Sequence, residues 1–117
     1  MLPLAAQVPV YLVCGPTDMR KAINGLSVYV ADVLDSDPFT GALFVFCNRR
    51  QDLIKVLYWD RNGFCLWQKR LQQDRFAWPQ EAAQVKQLSS RQLAWLLEGL
   101  DPMAHKGHPS RTYSVLF

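Results

Sequence analysis

The sequence has few cysteines and no long apolar run, and each shortage excludes a class of protein. Its cysteines, Cys14, Cys47 and Cys65, are odd in number and form no CxxC pair, so we expect reduced thiols and no disulfide framework. No stretch approaches the roughly 20 apolar residues of a membrane span. The opening segment MLPLAAQVPVYLVC lacks the basic start of a secretory signal. These absences predict a cytoplasmic protein without a membrane segment.

Residues suited to catalysis or metal binding are also scarce. The two histidines, His105 and His108, lie in the tail as HKGH, without the Cys or third His that a zinc site needs. The carboxylates are scattered, and the GxxxxGK[ST] spacing of a nucleotide-binding loop is missing. One alternative remains, because Asp60 with Gln68 and Lys69 forms a degraded version of a metal-dependent nuclease pattern. We expect no catalytic residue, no metal and no cofactor.

The chain is of single-domain size, and its charge is unevenly distributed. Half of the 117 residues are hydrophobic and 20% are charged, which indicates a globular protein. We expect one domain over residues 1–104 and a polar C-terminal tail over 105–117. The net charge is +3, but residues 38–75 alone carry seven basic and three acidic side chains, a net +4. The middle third is therefore a basic segment.

Apolar periodicity and turn residues predict the secondary structure. A β-branched run predicts a strand at 8–14, and helical spacing predicts a helix of about 17 residues that Thr17 or Asp18 caps. Strands follow at 42–48, 53–60 and 64–71, with a tight turn at Asn62-Gly63 and loops that permit only antiparallel hairpins. RFAW (75–78) adds a short strand, and Ser89 or Ser90 caps a second helix, RQLAWLLEGL.

These elements predict an α+β fold. We expect an antiparallel β-meander sheet of about four to five strands, with one long N-terminal helix and one shorter C-terminal helix. The last residues of the tail can dock as an edge strand.

Several of these segments occur together, and in the same order, in a known family. GPTDMRK, DPFTGALFVFCNRR, DLIKVLYWDRNGFCLWQKRL, RFAWP and LLEGLD resemble the accessory protein from the second open reading frame of IS-sixty-six-type insertion sequences, often labelled TnpB. The resemblance extends from about Val10 to Asp101. It does not concern the much longer RNA-guided nuclease of the same label. It implies a bacterial protein that assists transposition beside a separate transposase.

The segment GPTDMRK places two cations, Arg20 and Lys21, in the first turn of the predicted helix. Cations are mildly unfavourable there, by about 0.3–1 kcal/mol. The free N–H groups of that turn, with Thr17 and the two cations, would suit a phosphate oxygen. The alternative is that Asp18 caps the helix and offsets both charges.

A second set of cations lies at the predicted loop tips and strand ends. Side chains of this kind are the usual phosphate contacts of DNA-binding proteins. The alternative is that loop tips are polar in any protein and that Asp52, Asp60 and Asp74 neutralise part of the charge. The predicted stripe along one side of the sheet consists of Arg49, Arg50, Arg61, Lys69, Arg70 and Arg75.

Aromatic residues are concentrated in the predicted strands, and the first meander strand is apolar on both faces. If both helices covered one face, the other would remain for a partner. The alternatives are a core covered by the tail and a platform for base stacking. The expected interface residues are Phe44, Phe46, Tyr58, Trp59 and Trp67.

The sequence thus predicts a non-catalytic accessory factor for DNA transposition. It would bind DNA at the transposon ends, or bridge the transposase to them, and it could form a homodimer. The alternatives are a purely protein–protein subunit of the transposition complex and a metal-dependent nuclease-like enzyme.

Overall fold

The computed structural model describes residues 7–81 and 83–103. The predicted tail and its HKGH motif lie outside these ranges, as does the predicted edge strand. The described residues form five strands and two helices: β1 Val10–Val13, α1 Ile23–Asp32, β2 Leu43–Cys47, β3 Leu53–Asp60, β4 Gly63–Arg70, β5 Val85–Leu88 and α2 Ser90–Leu97.

The five strands form one sheet in the order β4-β3-β2-β1-β5. The α+β class and the β2–β3–β4 meander are confirmed. The prediction of a purely antiparallel sheet is wrong, because β1 pairs in parallel with β2, with Val10 opposite Leu43. A parallel pair needs a long crossover connection, and the segment that contains α1 provides it.

The helix α1 is shorter than predicted and starts later. It covers ten residues from Ile23, and its N-cap, Ala22, makes no side-chain cap. Asp18, one of the two expected caps, instead accepts a hydrogen bond from the backbone N–H of Arg20 at 3.0 Å. Its backbone oxygen accepts from Lys21 N at 3.2 Å. Asp18 therefore closes a separate turn before the helix, as Asp side chains commonly do.

The two helices pack on opposite faces of the sheet, so both faces are buried. On the α1 face the core includes Leu26, Val30, Phe44 and Phe46. The larger core on the α2 face combines β-strand residues with residues of the helix and the 71–81 segment: Leu12, Val45, Val56, Phe76, Trp78, Leu93 and Leu96. This arrangement explains why β2 is apolar on both faces, as strands covered on both sides are.

The segment after β4 does not form the predicted RFAW strand. Phe76 and Trp78 insert into the α2-face core instead. The indole Nε1–H of Trp78 donates to the backbone oxygens of Val13 at 3.1 Å and Gly15 at 3.0 Å. The segment thereby fastens the end of β1.

The edge strand β5 was missed by the sequence analysis, and α2 was found. The four residues of β5 include an exposed Gln87, and so short a strand has a weak pattern. The Ser89 hydroxyl accepts from Gln92 N at 3.0 Å, while the Gln92 side chain accepts from Ser89 N at 2.9 Å. This reciprocal capping box confirms Ser89 as the N-cap of α2.

Replacing Trp78 with Phe should lower the free energy of unfolding by about 1–3 kcal/mol, because the backbone oxygens of Val13 and Gly15 lose their donor. Urea denaturation measures the change. Trp67→Phe is the matched control, since Trp67 is only half-buried and its indole makes no hydrogen bond within the described residues. Equal losses for both variants would contradict an anchoring role for Trp78.

Candidate nucleic-acid interface

Three loops meet at one end of the sheet. Parallel β1 and β2 finish at the same edge, and the β2–β3 hairpin brings β4 back to it, with Arg70 opposite Leu53. Backbone hydrogen bonds join the loops: Thr17 N to Cys47 O at 2.8 Å and Leu71 N to Asp52 O at 2.8 Å. We call residues 15–21, 48–52 and 69–75 together the basic end.

A buried lysine holds the GPTDMRK segment against the sheet. Lys55, in the middle of β3, is only 8% exposed. Its ammonium donates to the backbone oxygens of Met19 at 3.0 Å and Lys21 at 3.1 Å. The sequence analysis missed this residue, although a single cation in the apolar strand LIKVLYW signals a buried partner.

The side chain of Asn48 organises the β2–β3 hairpin loop. Its oxygen accepts from the backbone N–H groups of Asp52 and Leu53 at 3.0 and 3.1 Å, and its amide donates to the Asp52 carboxylate at 2.7 Å. That hydrogen bond, with the nearby charges of Arg50 and Arg70, holds the pKa of Asp52 below its ordinary value. The loop therefore presents its exposed arginines from a fixed backbone.

The neighbouring 71–76 segment is bonded to the same loop. Phe76 N donates to Gln51 O at 2.7 Å, and the Gln51 side chain donates to Phe76 O at 3.2 Å. A surface cavity of about 300 Å³ lies between them, lined by Arg50, Asp52 and residues 71–75. This contact brings Arg75, from a distant part of the sequence, to the basic end.

The basic end carries seven cations and three carboxylates, a net +4. Part of that charge is paired. The guanidinium of Arg20 donates to Asp18 at 2.7 Å and holds the pKa of Asp18 far below its ordinary value. Arg50 and Arg70 share Asp52 at 3.9 and 3.7 Å.

The other cations of the basic end form no ion pair with a carboxylate in the described part of the chain. The ammonium of Lys69 donates to Leu97 O at 2.7 Å and so caps the C-terminus of α2. Among the described residues, Lys21, Arg49 and Arg75 take part in no ion pair. Beyond α2, Glu98 and Asp101 add negative charge at this end, so the positive excess lies toward the α1 face.

Two of the predicted phosphate contacts differ in position from what the sequence suggested. Arg20 and Lys21 precede α1 instead of occupying its first turn. Thr17 is 7% exposed, and its hydroxyl has no hydrogen-bond partner in the part of the chain that the structure describes. Beside it lies a cavity of about 410 Å³, lined by Pro16, Thr17, Asp18, Met19, Asn48 and Arg49.

Arg61 lies far from the other cations, so the predicted single stripe is divided. It occupies the β3–β4 turn at the opposite end of an eight-residue strand, which is about 25 Å long at 3.3 Å per residue. The sequence predicts the tight turn at Asn62-Gly63, whereas the residue that takes a positive φ, +57°, is Arg61. The other five predicted loop-tip and strand-end cations lie at the basic end together with Arg20 and Lys21: Arg49, Arg50, Lys69, Arg70 and Arg75.

The aromatic residues expected at an interface fall into two groups. Phe44 and Phe46 are 2% and 0% exposed beneath α1, so they offer no surface to a partner in this conformation. Tyr58 is buried in the α2-face core, and Trp67 packs against it half-buried. Trp59 instead joins an aromatic cluster at the β3–β4 turn.

The residues of the nuclease-like pattern do not come together. Asp60 lies opposite Gly63 at the turn, while Gln68 and Lys69 lie opposite Lys55 and Ile54 near the other end of β3. Six residues of extended strand separate Asp60 from Ile54, about 20 Å. In the described residues there is also no group of three His, Cys, Asp or Glu side chains placed to hold a metal ion.

The remaining features bear on reactivity and membranes. Burial raises the pKa of the Cys47 thiol to about 12, which keeps it protonated and unreactive at neutral pH. Cys14 and Cys65 are half-buried free thiols. Within residues 7–81 and 83–103, no helix is long and apolar enough to cross a membrane.

Replacing Asn48 with Ala should lower the free energy of unfolding by about 1–3 kcal/mol, because two backbone N–H groups lose their acceptor. It should also raise the pKa of Asp52 toward its ordinary value. Because the pKa of Asp52 is lowered in the folded wild type, its carboxylate stabilises the fold at pH values above the pKa of the unfolded chain, about 3.9. This stabilisation is lost as the pH falls below that value and through the lowered pKa of the folded state. The stability difference between the proteins should therefore shrink in acid.

Urea denaturation across this pH range and an NMR titration of the Asp52 carboxyl group check both effects. Asn62→Ala is the control, because Asn62 is an exposed residue of the other hairpin turn. An unchanged Asp52 pKa in Asn48→Ala would show that Asn48 does not set it.

Comparisons with known proteins place the chain in a family. A protein of Sinorhizobium fredii described as "Uncharacterized protein y4hO" is 40% identical over 113 residues, which cover 97% of this chain and 95% of that protein. A second S. fredii protein, "Uncharacterized protein y4jC", is 35% identical over 86 residues, 74% of each chain. No solved structure matches significantly. The family model described as "IS66 Orf2 like protein" matches residues 8–107, so the chain belongs to this family of insertion-sequence accessory proteins.

Proposed function

We propose that the chain is a non-catalytic transposition factor that binds the DNA backbone through its basic end and holds the separate transposase at the transposon ends. One observation carries the proposal: the fold gathers cations from three separate loops at one end of the sheet. Family membership supplies the setting, since an insertion-sequence accessory protein works where DNA is bound and rearranged.

The basic end has the chemistry of a phosphate-binding surface. It carries a net +4, and Arg49 extends from a loop whose backbone the Asn48 side chain fixes. Lys21 lies on the segment that Lys55 secures. Cations on a fixed framework bind phosphates with little loss of conformational entropy. Contacts of this type position a protein on DNA without reading its sequence.

A purely protein–protein role is the second candidate, and the ion pairs favour it. Arg20 is bound to Asp18, while Arg50 and Arg70 share Asp52, so part of the charge is already neutralised. In that case the exposed cations would contact acidic protein surfaces only. The separation of Asp60 from Gln68 and Lys69 removes the geometric basis for a nuclease-like enzyme.

Removing two charges from the hairpin tip tests DNA binding. Arg49→Ala/Arg50→Ala should weaken binding to duplex DNA regardless of its sequence. It should also flatten the slope of log affinity against log salt by about 1 to 2 units, because each phosphate contact contributes roughly 0.9. Fluorescence anisotropy with a labelled terminal-repeat duplex and a scrambled duplex, titrated with salt, measures both quantities.

The control variant is Arg61→Gly/Arg91→Ala, which removes the same number of charges from exposed positions outside the basic end. It should leave the salt slope nearly unchanged. If both variants flatten the slope equally, net charge and not the basic end governs binding. If wild-type protein does not bind DNA even at low salt, the protein–protein role replaces the proposal.

A further inference from the structure

The end of the sheet opposite the basic end carries a partly exposed aromatic cluster. Phe39, Trp59 and Phe64 lie with ring centroids 5.0–5.2 Å apart. Phe39 is 57% exposed, although it is large and apolar. We call residues 32–42 and 59–64, which contain these rings, the aromatic end.

The charge of the aromatic end is opposite to that of the basic end. It contains Asp32, Asp35, Asp37 and Asp60 against the single cation Arg61, a net −3. All four carboxylates belong to exposed residues. In the described part of the chain, none of the four forms an ion pair.

The acidic and aromatic side chains are joined into one surface. The Asp37 carboxylate accepts from the backbone N–H of Phe39 at 2.9 Å, which holds the backbone of Phe39 close to that charge. A groove of about 690 Å³ runs along α1 from Lys21, at the basic end, to Asp32 and Val33. Val28 and Val33 lie in it, 56% and 48% exposed. The mostly apolar groove thus ends at Asp32, one of the four carboxylates of the aromatic end.

This combination matches a guanidinium group better than it matches DNA. Arginine pairs with carboxylates and stacks on aromatic faces, and its side chain also covers apolar surface. A DNA strand could stack on the rings, but a net −3 would repel its phosphates. Opposite potentials on two surfaces favour a cationic partner at this end.

We propose that the aromatic end binds an arginine-bearing segment of the transposase encoded by the same insertion sequence. This inference rests on the proposed function, in which the chain holds a transposase at DNA. The length of β3, about 25 Å at 3.3 Å per residue, separates the two ends. Both partners therefore bind at once without competing for the same residues.

Charge neutralisation without loss of shape provides the test. The triple variant Asp35→Asn/Asp37→Asn/Asp60→Asn keeps side-chain size, and Asn tolerates the positive φ of +51° at Asp35. Asn at position 37 still offers an oxygen to Phe39 N. The probe is the purified transposase, titrated by isothermal calorimetry into wild type, the triple variant and Phe39→Ser.

We expect the triple variant to bind transposase about tenfold more weakly at low salt, because it loses three exposed ion pairs of modest strength with the partner. Phe39→Ser should weaken binding to a similar extent, but with little effect on its salt dependence. Arg49→Ala/Arg50→Ala, at the opposite end, should bind transposase like wild type. Thermal unfolding of every variant confirms that it is folded at the assay temperature.

The same variants separate this inference from the proposed function. The triple variant and Phe39→Ser should retain wild-type affinity for DNA. DNA binding that is lost only in Arg49→Ala/Arg50→Ala therefore tests the basic end and not the aromatic end. Transposase binding that is absent in wild type or unchanged in the triple variant would overturn the inference. So would sedimentation showing that the aromatic end binds a second copy of the chain in place of the transposase.

Discussion

Parallel pairing of β1 with β2 is the constraint on which the rest of the molecule depends. Two parallel neighbours must be joined by a crossover, and the segment containing α1 supplies it and covers one face of the sheet. The same pairing makes both strands finish at one edge. The loop after β1 is therefore placed beside the β2–β3 hairpin, where Thr17 N bonds Cys47 O. Without the parallel pair, GPTDMRK and NRRQ would lie at opposite ends of the sheet.

The lengths of β3 and β4 then determine how charge is distributed. These strands carry eight residues each, so the loops at their two ends lie far apart. The basic end contains seven cations and three carboxylates, and the aromatic end contains four carboxylates and one cation. An asymmetry of this size orients a molecule in the field of a polyanion before contact. The fold thus separates charge along the strands, so that a protein with a mild net charge has one positive and one negative end.

The sequence predicted what local patterns control and missed what tertiary contacts decide. The meander and the Ser89 cap follow from alternation, short loops and capping chemistry. The parallel pair depends on which strands meet across about 30 residues, and no local pattern shows that. The Asp18 side chain can cap a helix or close a turn. Here it binds Arg20 and closes a turn. At the candidate site, the sequence shows which residues are cations. Only the fold shows that Lys55 binds the backbone oxygens of Met19 and Lys21 and that Arg61 lies at the other end of the sheet.

The buried ammonium of Lys55 also has a consequence for how the sheet assembles. Neighbouring residues of a strand face opposite sides, so a slip of β3 by one position along β2 exchanges its two faces. Lys55 would then enter the apolar layer under α2, among Val45, Leu93 and Leu96, far from the carbonyl oxygens of Met19 and Lys21. An unpaired charge in such a layer is strongly unfavourable. A strand as uniformly apolar as LIKVLYW would otherwise pair almost equally well in the observed register and in the register shifted by one residue. The single lysine makes the shifted register strongly unfavourable.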